Sequence, residues 1–193
     1  ARFALEASAP QALGGRLNVR GELRRLDLAQ TLRSAGRLYV ELGHADLGGW
    51  RPWFDYPLAL DGRGALRAWL DADGRGGFAL STDLALDAVR TRLAADLPEL
   101  ELKRLDGRLT VARNDEGTRI ATRALALDTT QGTRLAPTDA ELVLAPDAGG
   151  APGGGRFAAN QLDVSALATL AAHLPLDAAV GARLARSEER RVG

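Results

Sequence analysis

Residues 97–146 decide the fold, and they read LPELELKRLDGRLTVARNDEGTRIATRALALDTTQGTRLAPTDAELVLAP. Apolar side chains recur here at every second position, as at Leu109 and Val111. Successive side chains of a strand point to opposite faces, so each run has one apolar face and one face of Arg, Asp, Glu and Thr. Short polar turns separate the runs, and connections this short join only antiparallel neighbours. The stretch therefore predicts an antiparallel β-meander.

The alternation slips in two places within this stretch. It changes phase between Lys103 and Leu105, and again between Thr122 and Leu125. An extra residue in one strand moves every later side chain to the other face unless a β-bulge absorbs it. We therefore expect a bulge near Lys103.

The flanking sequence extends the same pattern. Five further strands are predicted at residues 1–8, 16–25, 36–43, 57–73 and 77–92, the last two joined by a turn over Asp73–Gly77. Another strand over 156–162 leads into an amphipathic helix, with Asp163 or Ser165 as its N-cap and Pro175 at its end. The predicted fold class is mainly β: an antiparallel meander of long strands in a twisted, groove-like sheet, with one or two short helices.

Composition shifts divide the chain into segments. They are N-terminal strands of the groove (1–45), a short aromatic helix with Asp46 as N-cap (46–56), the central meander (57–146), a flexible Gly/Pro loop (147–155), a strand plus amphipathic helix (156–185) and a tail (186–193). The tail ends in SEERRVG, which resembles translated adaptor sequence, and we leave it out of the fold. The chain opens with Ala inside a strand pattern, which predicts an internal piece of a longer protein.

Charge and composition exclude several classes of function. Lys plus Arg and Asp plus Glu both number 25, so the net charge is zero. A nucleic-acid partner is not expected, because such binding normally needs a basic excess. The absence of Cys excludes disulfides and thiolate chemistry. No apolar run approaches the about 18 residues that a membrane-spanning helix requires.

Residues able to support catalysis are scattered. His44 and His173 lie far apart and lack the spacing of a metal site, and no G-x-S-x-G motif is present. The acidic residues of the strands stand beside arginines, which is typical of a solvated face; they include Asp71, Asp73, Asp83 and Asp87. We therefore expect no enzyme activity, no catalytic residue, no metal and no cofactor.

The aromatic residues allow two interpretations. Trp50, Trp53 and Phe54 cluster around Pro52, and Trp69 follows on the next strand. They form either a wedge that closes the end or edge of the sheet, or part of a lining that contacts an apolar ligand. The sequence alone does not separate these alternatives.

The apolar face of the sheet is the remaining candidate site. With so few helices to cover it, this face must close into a barrel, stack on another sheet or stay open to an apolar ligand. The candidate lining residues are Leu38, Val40, Leu66, Leu70, Leu80, Leu84, Leu86, Leu109, Val111, Ile120, Leu142 and Leu144.

Several short stretches, taken in order, resemble one known family. They are WRPW at 50–53, LDGRGALRAWLD at 60–71, LDGRL at 105–109, LAPTD at 135–139 and LDVSAL at 162–167. Their order over residues 3–185 resembles the YhdP proteins, members of the AsmA-like superfamily of Gram-negative bacteria.

The resemblance implies a long periplasmic protein, anchored in the inner membrane by a helix outside this sequence. Its β-segments would build an apolar groove like that of bridge-like lipid transporters. Such a groove would carry phospholipids between the inner and outer membranes and support the outer-membrane barrier, with envelope proteins as further partners. The family offers no catalytic residues to carry over. The alternative is a closed β-sandwich that serves as a scaffold or interaction segment in envelope assembly.

Overall fold

A computed structural model describes residues 2–8, 15–25, 35–49, 59–146 and 154–173. The elements are β1 (Arg2–Ser8), β2 (Arg16–Arg25), β3 (Ala35–Asp46), β4 (Ala59–Asp73), β5 (Phe78–Arg92), β6 (Leu100–Asn114), β7 (Gly117–Thr129), β8 (Arg134–Leu144), β9 (Gly155–Ala159) and the helix α1 (Val164–Ala171). The predicted strands are all present, with ends that shift by a few residues.

The nine strands form one antiparallel sheet in sequence order, β1 to β9. The sheet does not close, because β1 and β9 each pair on one side only within the described residues. This confirms the predicted fold class. The three central strands β4, β5 and β6 have 15 residues each, so they are about 50 Å long at 3.3 Å per residue.

Local hydrogen bonds explain the tight hairpins. At the turn between β4 and β5, the Asp73 carboxylate accepts from the backbone N–H groups of Arg75 (2.6 Å) and Gly77 (3.0 Å). At the turn between β6 and β7, the side-chain oxygen of Asn114 accepts from the N–H of Glu116 at 3.0 Å. Short polar side chains thus replace the ladder bonds where the chain reverses.

Bulges keep the apolar residues on one face along the whole sheet. The β6–β7 register shifts between Leu102 and Arg104, where the sequence predicts a bulge. The second phase slip lies at Ala124, whose φ is 48°. A further bulge at Ala88 (φ 51°) was not predicted. It lets Leu86 and Val89, three residues apart, both face the core.

The helix α1 packs at one end of the sheet. Asp163 caps it by accepting from the N–H of Ala166 at 3.0 Å, as predicted. Ala166 and Leu170 are buried, and Leu170 joins the apolar core described below. Among the described residues, no helix is long and apolar enough to cross a membrane.

The predicted aromatic helix falls mostly outside the described residues. Asp46 ends β3, and its carboxylate accepts from the N–H of Gly49 at 3.1 Å in a turn. Trp50, Trp53 and Phe54 are not described. The same holds for most of the Gly/Pro loop and for the residues after His173, including Pro175 and the tail. β3 and β4, which flank the aromatic residues in sequence, pair directly with each other, so the sheet has no break between them.

We expect Gly64→Ala to destabilise the fold. Gly64 has a φ of 147°, and a Cβ built there would overlap the backbone carbonyl oxygen of Ala85 on the neighbouring strand. A strained, clashing side chain should lower the free energy of unfolding by about 2 kcal/mol or more, measured by urea denaturation. The matched control is Gly43→Ala, where a Cβ meets nothing within 4 Å. Equal stability of the two variants would contradict this register.

Candidate functional site

The strand register aligns apolar side chains in rows that cross the sheet. Directly opposed residues of neighbouring strands share a face, so each ladder rung extends such a row. The first apolar row consists of Phe3, Gly21, Leu38, Leu70, Leu80, Val111, Ile120, Leu142 and Phe157. The second apolar row consists of Leu5, Val19, Val40, Ala68, Thr82, Leu109, Thr122, Ala140 and Ala159.

These two rows make a continuous uncharged track. Eight steps of about 4.8 Å give it a length of about 38 Å across the strands. Gly21 leaves no gap, because the ring of Phe3 occupies the space above it. The track therefore runs from one edge of the sheet to the other without a charged residue in either row.

All twelve candidate lining residues lie on this apolar face. Eight belong to the two rows: Leu38, Val40, Leu70, Leu80, Leu109, Val111, Ile120 and Leu142. Leu66 and Leu84 oppose each other one rung further along, and Leu86 lies beyond them next to the core. Leu144 lies at the opposite rim, opposed to Thr118. Whether these residues contact a ligand stays a prediction.

The list of candidates omits the outer strands. Phe3, Leu5, Leu17 and Val19 on β1 and β2, and Phe157 on β9, occupy the same face. The signal was present, because Leu17 and Val19 alternate in the same way as the central strands. The short β9 carries too few residues for an alternating pattern to stand out.

One end of the apolar face is sealed. A buried core forms there from β3, β5, β6, α1 and the turn after β3; its members are Leu42, Ala45, Leu47, Leu86, Val89, Leu100, Leu102 and Leu170. Val89 is 1% exposed. The end of α1 is held by a 3.4 Å contact between Nδ1 of His173 and the carbonyl oxygen of Pro98. This end behaves as an ordinary dry core.

The rest of the face is not sealed. None of the nine residues in either apolar row is buried within the described structure. Exposure rises at the edge strands, where Leu5 and Phe157 are 53% and 56% exposed. In the part of the chain that the structure describes, no second layer lies over these rows, since α1 is the only helix and packs on the core. An unsealed apolar surface of this kind occurs at interaction sites, in ligand-binding grooves and on aggregation-prone faces.

The opposite face carries charged side chains of both signs, which form ion pairs with each other. Ion pairs link neighbouring strands, for example Arg37 to Asp71 at 2.7 Å and Arg119 to Glu141 at 2.6 Å. Asp87 is opposed to both Arg63 and Arg104. The carboxylates of this face are thus matched by arginines, and within the described residues no cluster of three His, Asp or Glu is arranged to hold a metal ion.

Trp69, for which the sequence left a wedge and an apolar lining open, lies on the charged face, opposed to Tyr39 and Ser81. Its ring centroid lies 5.4 Å from that of Tyr39, and the guanidinium carbon of Arg108 lies 5.5 Å from the Trp69 centroid. Arg108 also makes a two-pronged ion pair with Asp83, at 2.5 and 2.9 Å. The hydrogen bond from Arg108 lowers the pKa of Asp83. Burial, together with the neighbouring Glu41, raises the pKa of Tyr39.

Most of the cleft lining lies on the charged face or at the rim, although a cleft of about 620 Å³ beside Tyr39 and Trp69 also touches Leu38 and Leu70 of the first apolar row. A cleft of about 490 Å³ lies on the charged face, lined by groups such as Arg108, Arg123 and Glu141. A second, of about 660 Å³, opens at the rim formed by the hairpin turns after β4 and β6. The apolar rows form a broad surface rather than a cavity, which suits an extended chain better than a compact small molecule.

We expect an acidic residue to be tolerated in the apolar rows but not in the core. Leu142→Asp leaves the new carboxylate in reach of water, so the variant should stay folded. Val89→Asp buries an unpaired charge at a cost of several kcal/mol and should unfold the chain. Thermal denaturation followed by circular dichroism measures both. Unfolding of both variants would mean that the rows are packed like a closed core.

We expect the ion pair of Asp83 and Arg108 to stabilise the fold weakly and only above acidic pH. Because the pKa of Asp83 is lowered on folding, its contribution is present above the unfolded value near 4 and is lost as pH falls through the folded value. The pair is partly exposed, so Asp83→Asn should cost under about 1 kcal/mol at pH 7. Urea denaturation at pH 7 and in acid checks this. The matched control is Asp96→Asn at an exposed turn, which should leave the free energy of unfolding at pH 7 unchanged.

Comparison with known proteins identifies the family. The family model for YhdP, described as YhdP protein, matches residues 1–188. Neither the curated protein sequences nor the solved structures contain a match to this chain. The family match spans the nine strands and α1, and it includes the rows, the sealed core and the charged face. The chain belongs to the YhdP family.

Proposed function

We propose that the apolar rows bind the acyl chains of phospholipids. The observation that supports this most directly is the continuity of the two rows across nine strands, with no charged residue and no buried residue among them. Each methylene group that leaves water for such a surface contributes about 0.8 kcal/mol. Leu, Val, Ile and Phe side chains supply that surface, while head groups remain in water at the rim.

The same geometry favours movement along the rows. Each strand presents an almost equivalent apolar rung about 4.8 Å from the next. An acyl chain that shifts by one strand exchanges one set of apolar contacts for a similar set, so no single step requires a large free-energy barrier. The protein needs no catalytic residue for this, and we propose that it binds and conducts lipid without acting as an enzyme or using a cofactor.

Membership of the YhdP family supports a wider role for the protein that contains this chain. We propose that it is a periplasmic protein anchored in the inner membrane, whose groove carries phospholipid between the inner and outer membranes. Its contribution to the outer-membrane barrier and its envelope partners follow from that role. Any directionality must come from elsewhere, because binding to equivalent rungs has no preferred direction.

The test is whether phospholipid co-purifies with the chain. The purified 193-residue chain should carry phospholipid that mass spectrometry detects after extraction. A charge in the rows should interfere, because an acyl chain lying over a carboxylate must strip water from it. We therefore expect Leu142→Asp and Leu109→Asp to reduce bound phospholipid several-fold.

The matched control places the same charge on the other face. Ala85 is exposed and lies on the charged face, opposed to Ala65 and Asp106. Ala85→Asp should retain phospholipid at the wild-type level. A folded wild-type chain that carries no lipid, or equal loss in all three variants, would argue instead for a scaffold.

A further inference from the structure

One arginine stands on the apolar face. At the rim formed by the hairpin turns, the register aligns Ala72, Phe78, Arg113, Thr118 and Leu144 in a row parallel to the first apolar row. Among the described residues that the ladder pairs into rows on this face, Arg113 is the only charged one. Its cross-strand neighbours Phe78 and Thr118 are uncharged.

Arg113 also has no ion-pair partner among the described residues, a property that it shares with a few others such as Arg123. Ten arginines of the described residues form ion pairs, and all of these pairs lie on the charged face. Arg113 is in none of them. The nearby turn carboxylate of Asp73 accepts from backbone N–H groups instead. The exposed guanidinium of Arg113 therefore lacks an anionic partner within the described chain.

The surroundings of Arg113 suit an amphiphile with a phosphate. An arginine can lay its aliphatic stem along an apolar surface while its guanidinium reaches water. That guanidinium presents a planar fork of donors that matches a phosphate group. Phe78, Arg113 and Thr118 also border the rim cleft of about 660 Å³, most of whose lining, including Arg119 and Glu141, belongs to the charged face. Val111, in the first apolar row, lies two residues away along β6, about 7 Å.

We propose that Arg113 binds the phosphate group of a phospholipid whose acyl chains lie on the apolar rows. The inference rests on the proposed function and adds an orientation to it. The head group sits at the hairpin rim, and the tails run along the strands toward the core beneath α1.

The length of the strands agrees with this orientation. From Arg113 back to Leu105, at the border of the sealed core, β6 spans eight residues or about 26 Å. One leaflet is half of the about 30 Å hydrocarbon core of a bilayer, so an acyl chain needs about 15 Å. The tails therefore fit on the open part of the face without entering the core.

The experiment compares two fluorescent lipids with identical acyl chains. Phosphatidic acid carries a phosphate, whereas diacylglycerol does not. Binding to the purified chain is measured through the fluorescence of a label on the acyl chain. Wild type should bind phosphatidic acid about tenfold more tightly than diacylglycerol, a difference of about 1.4 kcal/mol. Arg113→Gln should remove that difference and leave diacylglycerol binding unchanged, while Arg113→Lys should retain part of it.

The control is Arg123→Gln. Arg123 lies on the charged face opposite Arg108 and has no ion pair among the described residues. This variant should bind both lipids as wild type does. Unchanged phosphatidic acid preference in Arg113→Gln would overturn the proposal. Tight binding of inorganic phosphate to the lipid-free chain, abolished by Arg113→Gln, would assign Arg113 to a free anion and overturn it as well.

The two proposals fail in different ways. If wild type binds neither lipid, the proposed function itself is wrong. If wild type binds both lipids equally and Arg113→Gln changes neither, the apolar rows still bind acyl chains, and only the role of Arg113 is wrong.

Discussion

The register of the β-ladder is the constraint on which the whole structure depends. Side chains alternate with a period of two, so a slip of one residue in any strand would turn its leucines toward the charged face. Nine strands keep one face apolar only because bulges restore the phase where the sequence breaks it. The bulge at Ala88 allows both Leu86 and Val89 to reach the core, and the irregularity at Ala124 returns Leu125 and Leu127 to the apolar side.

The side chains on the two faces of the sheet are stabilised in different ways. On one face, ion pairs between neighbouring strands neutralise the charges, but exposed pairs of this kind contribute little to stability. Their effect is to keep this face soluble and to disfavour a register in which like charges would oppose each other. On the other face, only the core near α1 is dry. The residues of the apolar rows on the central strands are only partly buried by the fold, and ligand binding is a process that would remove the rest of their surface from water.

The sequence alone predicts most of this arrangement, because alternation and turn residues are local signals. Asp73–Gly77 and Asp163 each act within a few residues of their position, and both act as expected. Trp69 could not be placed in the same way. A large aromatic side chain suits an apolar lining as well as a wedge. The alternation of side chains along β4, however, puts Trp69 on the charged face, beside Tyr39 and Arg108. The bulge at Ala88 gives no local signal either, because it depends on how β5 pairs with β4. Arg113 was overlooked because one arginine at a strand end looks ordinary until the ladder shows what lies beside it.

The size of α1 explains why the apolar face divides into a sealed part and an open part. A helix of eight residues is about 12 Å long, whereas the face extends for about 38 Å across the strands. Such a helix can bury a cluster around Leu170 but cannot act as a second layer. The helix α1 closes one end of the strands and leaves the hairpin rim open. At this rim a polar group can contact water while an attached apolar chain lies on the rows. Under the proposed function, the fold would thus distinguish the two ends of a bound amphiphile before any specific contact is made, and Arg113 lies at the end where a head group would emerge.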